Sequence, residues 1–91
     1  MEYELIPKNC KVNSFYGKAH TIVEGDYLKL KSYDTIVAEV KRPSGNDNKS
    51  IFKWYKKYSP TTTRHQKEFF KQLGLNDEEI EYLSKNKILE K

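Results

Sequence analysis

The chain has 91 residues, which is enough for one small domain and too few for a second hydrophobic core. Charged residues make up 33% and hydrophobic residues 36%, but 13% of the residues are aromatic, and this share argues against a disordered chain. The formal net charge of +4 is compatible with nucleic-acid binding and equally with an ordinary soluble protein, so charge alone does not decide between them.

The cysteine content and the hydropathy of the sequence indicate which cellular compartment to expect. The only cysteine, Cys10, excludes an intramolecular disulfide and a multi-cysteine metal site, and it favours a reducing compartment. The sequence shows neither a basic, apolar leader nor a run long enough to span a bilayer. We therefore expect a cytoplasmic protein without membrane contact, cofactor or metal.

The first 60 residues predict a β-sheet. Residues 1–14 have little periodicity and are expected to form an irregular lead-in, while Gly25 and Asp26 mark a turn and residues 43–48 a flexible polar loop. Elsewhere, apolar residues alternate with lysines and other polar residues, as is typical of strands with one buried face. The four predicted strands are residues 19–24, 27–31, 35–41 and 50–56.

The alternation also predicts which strand residues face the core. In the second strand, Leu28 and Leu30 are expected to point inward. In the third strand, Ile36, Ala38 and Val40 are expected to share the inner face. In the fourth strand, the expected inward residues are Phe52 and Trp54, and the expected outward residues are Ile51, Lys53 and Tyr55.

Two helices are predicted after the sheet. Ser59 is a suitable N-cap, and Pro60 suits the first helical position because a missing N–H costs no hydrogen bond there. Gly74 is expected to follow the end of this helix. Asn76 is expected to cap a second, shorter helix, whose first turn carries acidic residues where the helix dipole favours them.

Together these elements predict the fold class. We expect an α+β fold, a four-stranded antiparallel β-meander packed on one face by a C-terminal helix, with a second short helix. The whole chain, residues 1–91, is expected to form a single domain. Residues 85–91 are expected to fray beyond the second helix.

Three separated segments carry a resemblance to a known family. They are SFYGKA at residues 14–19, SYDTIVA at residues 32–38 and SPTTTRH at residues 59–65. In this order they resemble a family of small uncharacterised proteins encoded by phages, plasmids and other mobile elements of Gram-positive bacteria. The resemblance implies a small α+β fold and a mobile-element source, and it implies no activity. The chain departs from the family pattern at residues 56–58, where a shorter spacing is expected.

Residues at the start of the first helix are candidates for a functional site. His65 is a candidate general base or phosphate ligand, but a ring that fixes the docking of the helix is the favoured interpretation. Thr61 and Thr62 are candidate phosphate contacts, because a helix N-terminus with free N–H groups attracts anions. Ordinary helix capping is the favoured interpretation for both threonines.

Two surfaces are candidates for binding nucleic acid. Arg64, Lys67 and Lys71 recur at i, i+3 and i+7, so they share one face of the first helix. The outer face of the sheet offers lysines and an aromatic ring, an arrangement that binds single strands through charge attraction and base stacking. A solvated, lysine-rich face is the favoured interpretation of this second surface. Its residues are Lys29, Lys31, Lys53 and Tyr55.

The sequence lacks the motifs of common enzymes, including a Gly-rich phosphate loop, a nucleophile elbow and a zinc-binding helix. We therefore expect a non-enzymatic mobile-element accessory protein that acts by binding, with nucleic acid as the preferred partner and no small-molecule substrate. The alternative is a protein-binding inhibitor or modulator of a host factor, such as a defence nuclease. In that case the acidic run at residues 77–81 would mimic phosphates in a basic groove.

Overall fold

Six antiparallel strands, side by side in chain order, form the sheet in the residues that the computed structural model describes, which are 1–45, 48–56 and 58–91. Two helices pack against the inner face of this sheet. The strands are β1 (Glu2–Glu4), β2 (Ala19–Glu24), β3 (Tyr27–Ser32), β4 (Thr35–Lys41), β5 (Ile51–Trp54) and β6 (Ile88–Glu90), and the helices are α1 (Pro60–Gln72) and α2 (Asp77–Asn86). The predicted α+β class is therefore confirmed.

The predicted number of four strands is wrong, because a short strand is added at each edge of the described sheet. β1 pairs antiparallel with β2, within the segment 1–14 that was expected to be irregular. β6 pairs antiparallel with β5, within the segment 85–91 that was expected to fray. Both strands have three, mostly exposed residues, so backbone hydrogen bonds are their main attachment, and only the half-buried Leu89 of β6 adds apolar contact with the core. Lys87, at φ 69, reverses the chain between α2 and β6.

The central strands agree closely with the predicted boundaries. β2 and β4 begin and end as predicted, and β3 is one residue longer. β5 is shorter than predicted at both ends, although Phe52 and Trp54 point into the core and Lys53 points outward. Part of the predicted polar loop and part of the unusual spacing before the first helix lie outside the described residues, at Asn46, Asp47 and Lys57.

Both helices begin at the predicted caps. The Thr62 N–H donates to Oγ of Ser59 at 3.3 Å, and Gly74 follows the end of α1 with φ +96. A capping box closes the start of α2, where Asn76 and Glu79 each accept the backbone N–H of the other. With 13 and 10 residues, neither α1 nor α2 is long and apolar enough to cross a membrane.

A bulge in β4 changes the inner face that the alternation predicted. Leu30 pairs with Ala38, but the next residue, Lys31, pairs with Ile36, so Val37 has no partner in β3. The extra residue shifts the alternation by one position. Val37 is buried, whereas Ile36 shares the outer face with Lys31 and is half buried. The expected inward position of Ile36 is therefore wrong.

Aromatic packing and one amide fix α1 on the sheet. The Phe70 ring stacks on Trp54 at a centroid distance of 5.9 Å and contacts Phe52 at 6.1 Å. Burying a phenylalanine stabilises a fold by roughly 1.5–3 kcal/mol. Nε2 of Gln66 donates to the carbonyl of the bulge residue Val37 at 2.9 Å. These contacts leave the opposite face of α1 directed away from the sheet.

Candidate nucleic-acid interface

A buried hydrogen-bond network joins β3 to the start of α1. Oγ of Ser32 lies 2.8 Å from Nδ1 of His65 and 3.1 Å from Oγ1 of Thr62. The hydroxyl of the N-cap, Ser59, lies 3.4 Å from the same Thr62 oxygen. Ser32, Thr62 and His65 are between 1% and 5% exposed, so losing one member would leave another buried polar atom without a partner.

His65 is enclosed in this network, and its surroundings favour the neutral ring. Burial, and then the neighbouring charge of Arg64, lower the pKa of the imidazole below its ordinary value of 6.5. A neutral ring with its proton on Nε2 accepts a hydrogen bond at Nδ1, which the Ser32 hydroxyl donates. The ring packs against Phe15 and Tyr33 at centroid distances of 4.5 Å and 6.1 Å. This position favours a role in docking α1 over a role as general base or phosphate ligand.

The two candidate threonines occupy different environments. Thr61 is exposed at the start of α1. Thr62 is only 5% exposed, its N–H is bound by the Ser59 cap, and its hydroxyl contacts Ser32. Thr62 therefore belongs to the cap and to the buried network, and of the two only Thr61 is open to a ligand.

A groove of about 820 Å³ lies between α1 and α2. Its wall on α1 carries the whole predicted basic stripe, Arg64, Lys67 and Lys71. Its wall on α2 carries Asp77 and Glu81. The apolar part of the lining includes Cys10, Tyr58 and Ile80. The fold therefore brings the three stripe residues together on one concave surface.

Most charges of the groove are already satisfied by neighbours. Nζ of Lys71 lies 3.1 Å from a carboxylate oxygen of Asp77, and Glu81 pairs at 2.9 Å with a lysine of its own helix. Arg64 and Lys67 are exposed, and neither forms an ion pair with any residue in the described ranges. These two residues, called the basic pair below, give the groove its unpaired positive charge.

Glu68 anchors the N-terminal segment at Lys8 and Asn9, which borders the groove. Its carboxylate accepts the backbone N–H groups of Lys8 and Asn9, both at 3.0 Å, and the side-chain amides of Asn9 and Gln72 at 3.1 Å and 2.6 Å. Burial alone would raise the pKa of Glu68, but the hydrogen bonds from Gln72, Lys8 and Asn9 outweigh it, and the pKa is lowered. The carboxylate is therefore a structural anchor and not a free charge of the groove.

The basic residues of the predicted sheet surface face glutamates. Glu39 lies 4.0 Å from Nζ of Lys53 and accepts the Tyr55 hydroxyl at 3.2 Å. Burial, and then the charge of Glu39, raise the pKa of the Tyr55 phenol. The other ion pairs of this face include Lys29–Glu24 at 3.5 Å and Lys31–Glu2 at 4.0 Å. A phosphate backbone would meet these carboxylates, so the face offers less attraction than its lysines alone suggest.

Comparison with known proteins places the chain in a family. Over residues 3–90 the chain matches a family of unknown function, DUF8033. The protein belongs to this family. No curated protein and no solved structure matches the chain significantly. The matched range includes the three sequence motifs, the buried network and both helices, so the groove lies within the region that defines the family.

Two exposed tyrosines of the motifs were not predicted as site residues. Tyr16 is 84% exposed and Tyr33 is 50% exposed, and their φ angles are 54 and 56. Nζ of Lys18 lies 5.9 Å from the centroid of the Tyr33 ring. The sequence could have indicated these two positions, because Tyr16 precedes Gly17 and Tyr33 joins two predicted strands. Such turn positions usually carry glycine or asparagine, so a tyrosine there is unusual.

Proposed function

We propose that this protein binds nucleic acid through the wall of the groove formed by α1, without enzymatic activity. The observation that carries the proposal is the basic pair, Arg64 and Lys67, which is exposed and has no acidic partner in the described part of the chain. Side chains three residues apart on a helix have Cβ atoms about 5–6 Å apart. Both cations can therefore contact the backbone of one nucleic-acid strand.

Electrostatics favour this surface over the sheet face. A lysine already paired with a glutamate must give up that interaction before it binds a phosphate, whereas the basic pair needs no such exchange. Lys71 belongs to the same stripe, but its ion pair with Asp77 reduces its expected contribution. Phosphate contacts release counterions, so the affinity should fall as salt concentration rises.

The proposed biological setting is the cytoplasm of Gram-positive bacteria, where the protein would serve a mobile element as an accessory factor. This part of the proposal is supported by the resemblance of the three motifs alone. The absence of catalysis is supported by the position of His65, which bonds to Ser32 in the interior and does not line the groove. In the described residues, no three His, Cys, Asp or Glu side chains are grouped as a metal site requires.

A protein-binding inhibitor or modulator of a host factor is the second candidate. The observation in its favour is the apolar part of the groove, which Cys10, Tyr58 and Ile80 contribute. The acidic run at residues 77–81 supports this candidate less than its sequence suggests, because Asp77 is paired across the groove with a lysine of α1. Affinity capture from a host lysate tests this candidate, with partners identified by mass spectrometry.

Fluorescence anisotropy with labelled oligonucleotides tests the proposed function. Oligonucleotides of about 20 nucleotides exceed the roughly 4–16 nucleotides that one OB-fold domain covers, which is the comparison we use for a domain of this size. At low salt we expect binding that weakens by about tenfold in Arg64→Ala/Lys67→Ala. The matched control is Lys29→Ala/Lys53→Ala, which removes the same charge from the sheet face and should leave the affinity nearly unchanged. No binding by the wild type, or equal losses in both double variants, would contradict the proposal.

A further inference from the structure

Tyr16 and Lys18 lie just before β2, and Tyr33 lies between β3 and β4; these three exposed residues are called the tyrosine patch below. Tyr16 is 84% exposed and Tyr33 is 50% exposed. The ammonium group of Lys18 lies 5.9 Å from the centroid of the Tyr33 ring, and the Lys18 carbonyl accepts the Tyr33 N–H at 2.7 Å. The Tyr33 ring packs against His65 at a centroid distance of 6.1 Å, but half of its surface stays exposed. The Tyr16 ring is almost fully exposed, so packing of the core does not explain its presence.

The backbone of both tyrosines is strained. Their φ angles of 54 and 56 lie in the left-handed region, which bulky residues rarely adopt and which glycine adopts freely. Gly17 and Gly25 occupy comparable positions at φ 73 and 57 in this fold. Strained, exposed residues occur preferentially at functional sites, where the surrounding structure holds them in place. The strain therefore points to a use for the rings outside the fold.

The buried network fixes the tyrosine patch relative to the basic pair. Phe15 precedes Tyr16, and its ring contacts the His65 ring at a centroid distance of 4.5 Å. Ser32 precedes Tyr33, and its hydroxyl oxygen lies 2.8 Å from Nδ1 of His65. Arg64 of the basic pair directly precedes His65 in α1. Rings and cations thus belong to residues next to the members of one buried network, which suits a ligand that presents phosphates and flat rings together.

We infer that the nucleic acid is single-stranded, with its phosphates on the basic pair and Lys18 and its bases stacked on Tyr16 and Tyr33; this inference rests on the proposed function. A single strand exposes the faces of its bases, whereas neighbouring bases cover these faces in a duplex. Stacking on aromatic rings tolerates every base, so the site selects single strands without a strong sequence preference. Single-stranded DNA and RNA share the required phosphates and base faces.

The test compares a variant that lacks both rings with the wild type. Tyr16→Gly/Tyr33→Gly removes the rings, and the relief of backbone strain offsets the lost contact between the Tyr33 and His65 rings, so its thermal midpoint should stay close to that of the wild type. Labelled oligo(dT), oligo(rU) and a DNA hairpin duplex are titrated by anisotropy. We expect the wild type to bind the single strands at least about tenfold more tightly than the duplex, and the glycine variant to lose about tenfold in single-strand affinity.

Tyr27→Ala is the matched control. It removes another exposed tyrosine with a lysine near its ring, Lys29 at 6.0 Å, from the outer face of the sheet, and it should bind like the wild type. Tyr16→Leu/Tyr33→Leu gives a second variant, in which the bulk and the backbone strain remain but the aromatic faces are lost. It should show the same loss of single-strand affinity. The oligo(dT) and oligo(rU) titrations distinguish DNA from RNA.

The outcomes separate this inference from the proposed function. If the duplex binds as tightly as the single strands, or if the ring variants bind oligo(dT) and oligo(rU) like the wild type while Arg64→Ala/Lys67→Ala does not, the inference fails and the proposed function stands. If the wild type binds none of the three probes at low salt, both fail. A thermal midpoint of the glycine variant well below that of the wild type would overturn the argument from strain.

Discussion

Oγ of Ser32 lies 2.8 Å from Nδ1 of His65, and this hydrogen bond joins β3 to α1 across 33 positions of the chain. The two side chains are 2% and 1% exposed, so water does not compete for the bond. Ser32 also contacts the Thr62 hydroxyl at 3.1 Å, next to the cap of α1. The first half of the helix is therefore positioned by polar contacts, whereas its C-terminal part is positioned by the stacked rings of Phe70 and Trp54.

The first prediction concerns the energetic coupling of Ser32 and His65. His65→Ala should destabilise the protein by about 1–3 kcal/mol, because it removes a buried ring and leaves the Ser32 hydroxyl with one partner fewer. In a double-mutant cycle with Ser32→Ala, measured by urea denaturation, the coupling energy should be at least about 0.5 kcal/mol. Strictly additive losses would show that the hydrogen bond contributes nothing. Unchanged stability of His65→Ala together with lost oligonucleotide binding would instead place His65 in a functional site.

The second prediction is a loss of stability in mild acid. The pKa of His65 is lowered in the folded state, so the unfolded chain binds more protons below its ordinary pKa of 6.5. The contribution of the neutral ring is complete above pH 6.5 and is lost as the pH falls through the lowered value. The pKa of Glu68 is also lowered, but from 4.5, so its contribution is lost in a more acidic range.

Urea denaturation between about pH 7.5 and pH 5.5 measures this effect, and the free energy of unfolding should fall as the pH falls. In His65→Ala the fall should be smaller, because the group that takes up the proton on unfolding is absent. The same slope in wild type and His65→Ala would be evidence against a buried, neutral ring.

The sequence predicted the parts of the fold that rest on local rules. The alternation around Leu28 and Leu30 and the caps at Ser59 and Asn76 were sufficient to place the central strands and both helices. Strands β1 and β6 carry too little apolar alternation to be recognised, because they are held by backbone hydrogen bonds to a neighbouring strand. The bulge at Val37 likewise depends on how β4 pairs with β3.

The candidate site was predicted only in part, for a similar reason. Helical spacing placed Arg64, Lys67 and Lys71 on one face, and all three line the groove. The sequence did not predict that Lys71 is neutralised by Asp77, since that contact depends on how α2 crosses α1. The glutamates that face the lysines of the sheet depend on strand register in the same way. Charge pairing across elements is a property of the assembled fold.

The third prediction concerns the Glu68 anchor. Glu68→Ala should destabilise the protein by about 2–4 kcal/mol, because it leaves the N–H groups of Lys8 and Asn9 without their acceptor. The chain around them should loosen, so the half-buried Cys10 thiol should react faster with a thiol reagent. Glu68→Gln keeps one acceptor oxygen, so its stability and its thiol reaction rate should lie between those of the wild type and those of Glu68→Ala. A thiol reaction rate equal to that of the wild type in Glu68→Ala would show that other contacts hold this segment.

The fourth prediction concerns Lys87, which ends α2 in the left-handed conformation at φ 69. Its N–H donates to the Leu83 carbonyl at 2.7 Å and the chain then enters β6, so the backbone geometry is required. Its Nζ donates to the Ser84 carbonyl at 2.5 Å, but this contact is exposed and contributes little. Glycine adopts this conformation without steric cost, and Lys87→Gly should raise the free energy of unfolding by about 0.5–1 kcal/mol.

The control is Lys85→Gly, two residues earlier in the last turn of α2, which should lower the free energy of unfolding by about 1 kcal/mol because glycine is unfavourable in a helix and the exposed ion pair with Glu81 is lost. Urea denaturation of both variants at neutral pH gives the comparison. Opposite signs at two lysines so close in sequence would show that backbone conformation decides the effect. If Lys87→Gly destabilises the protein as much as Lys85→Gly, the left-handed conformation of Lys87 is not strained, and the inference from its φ angle is wrong.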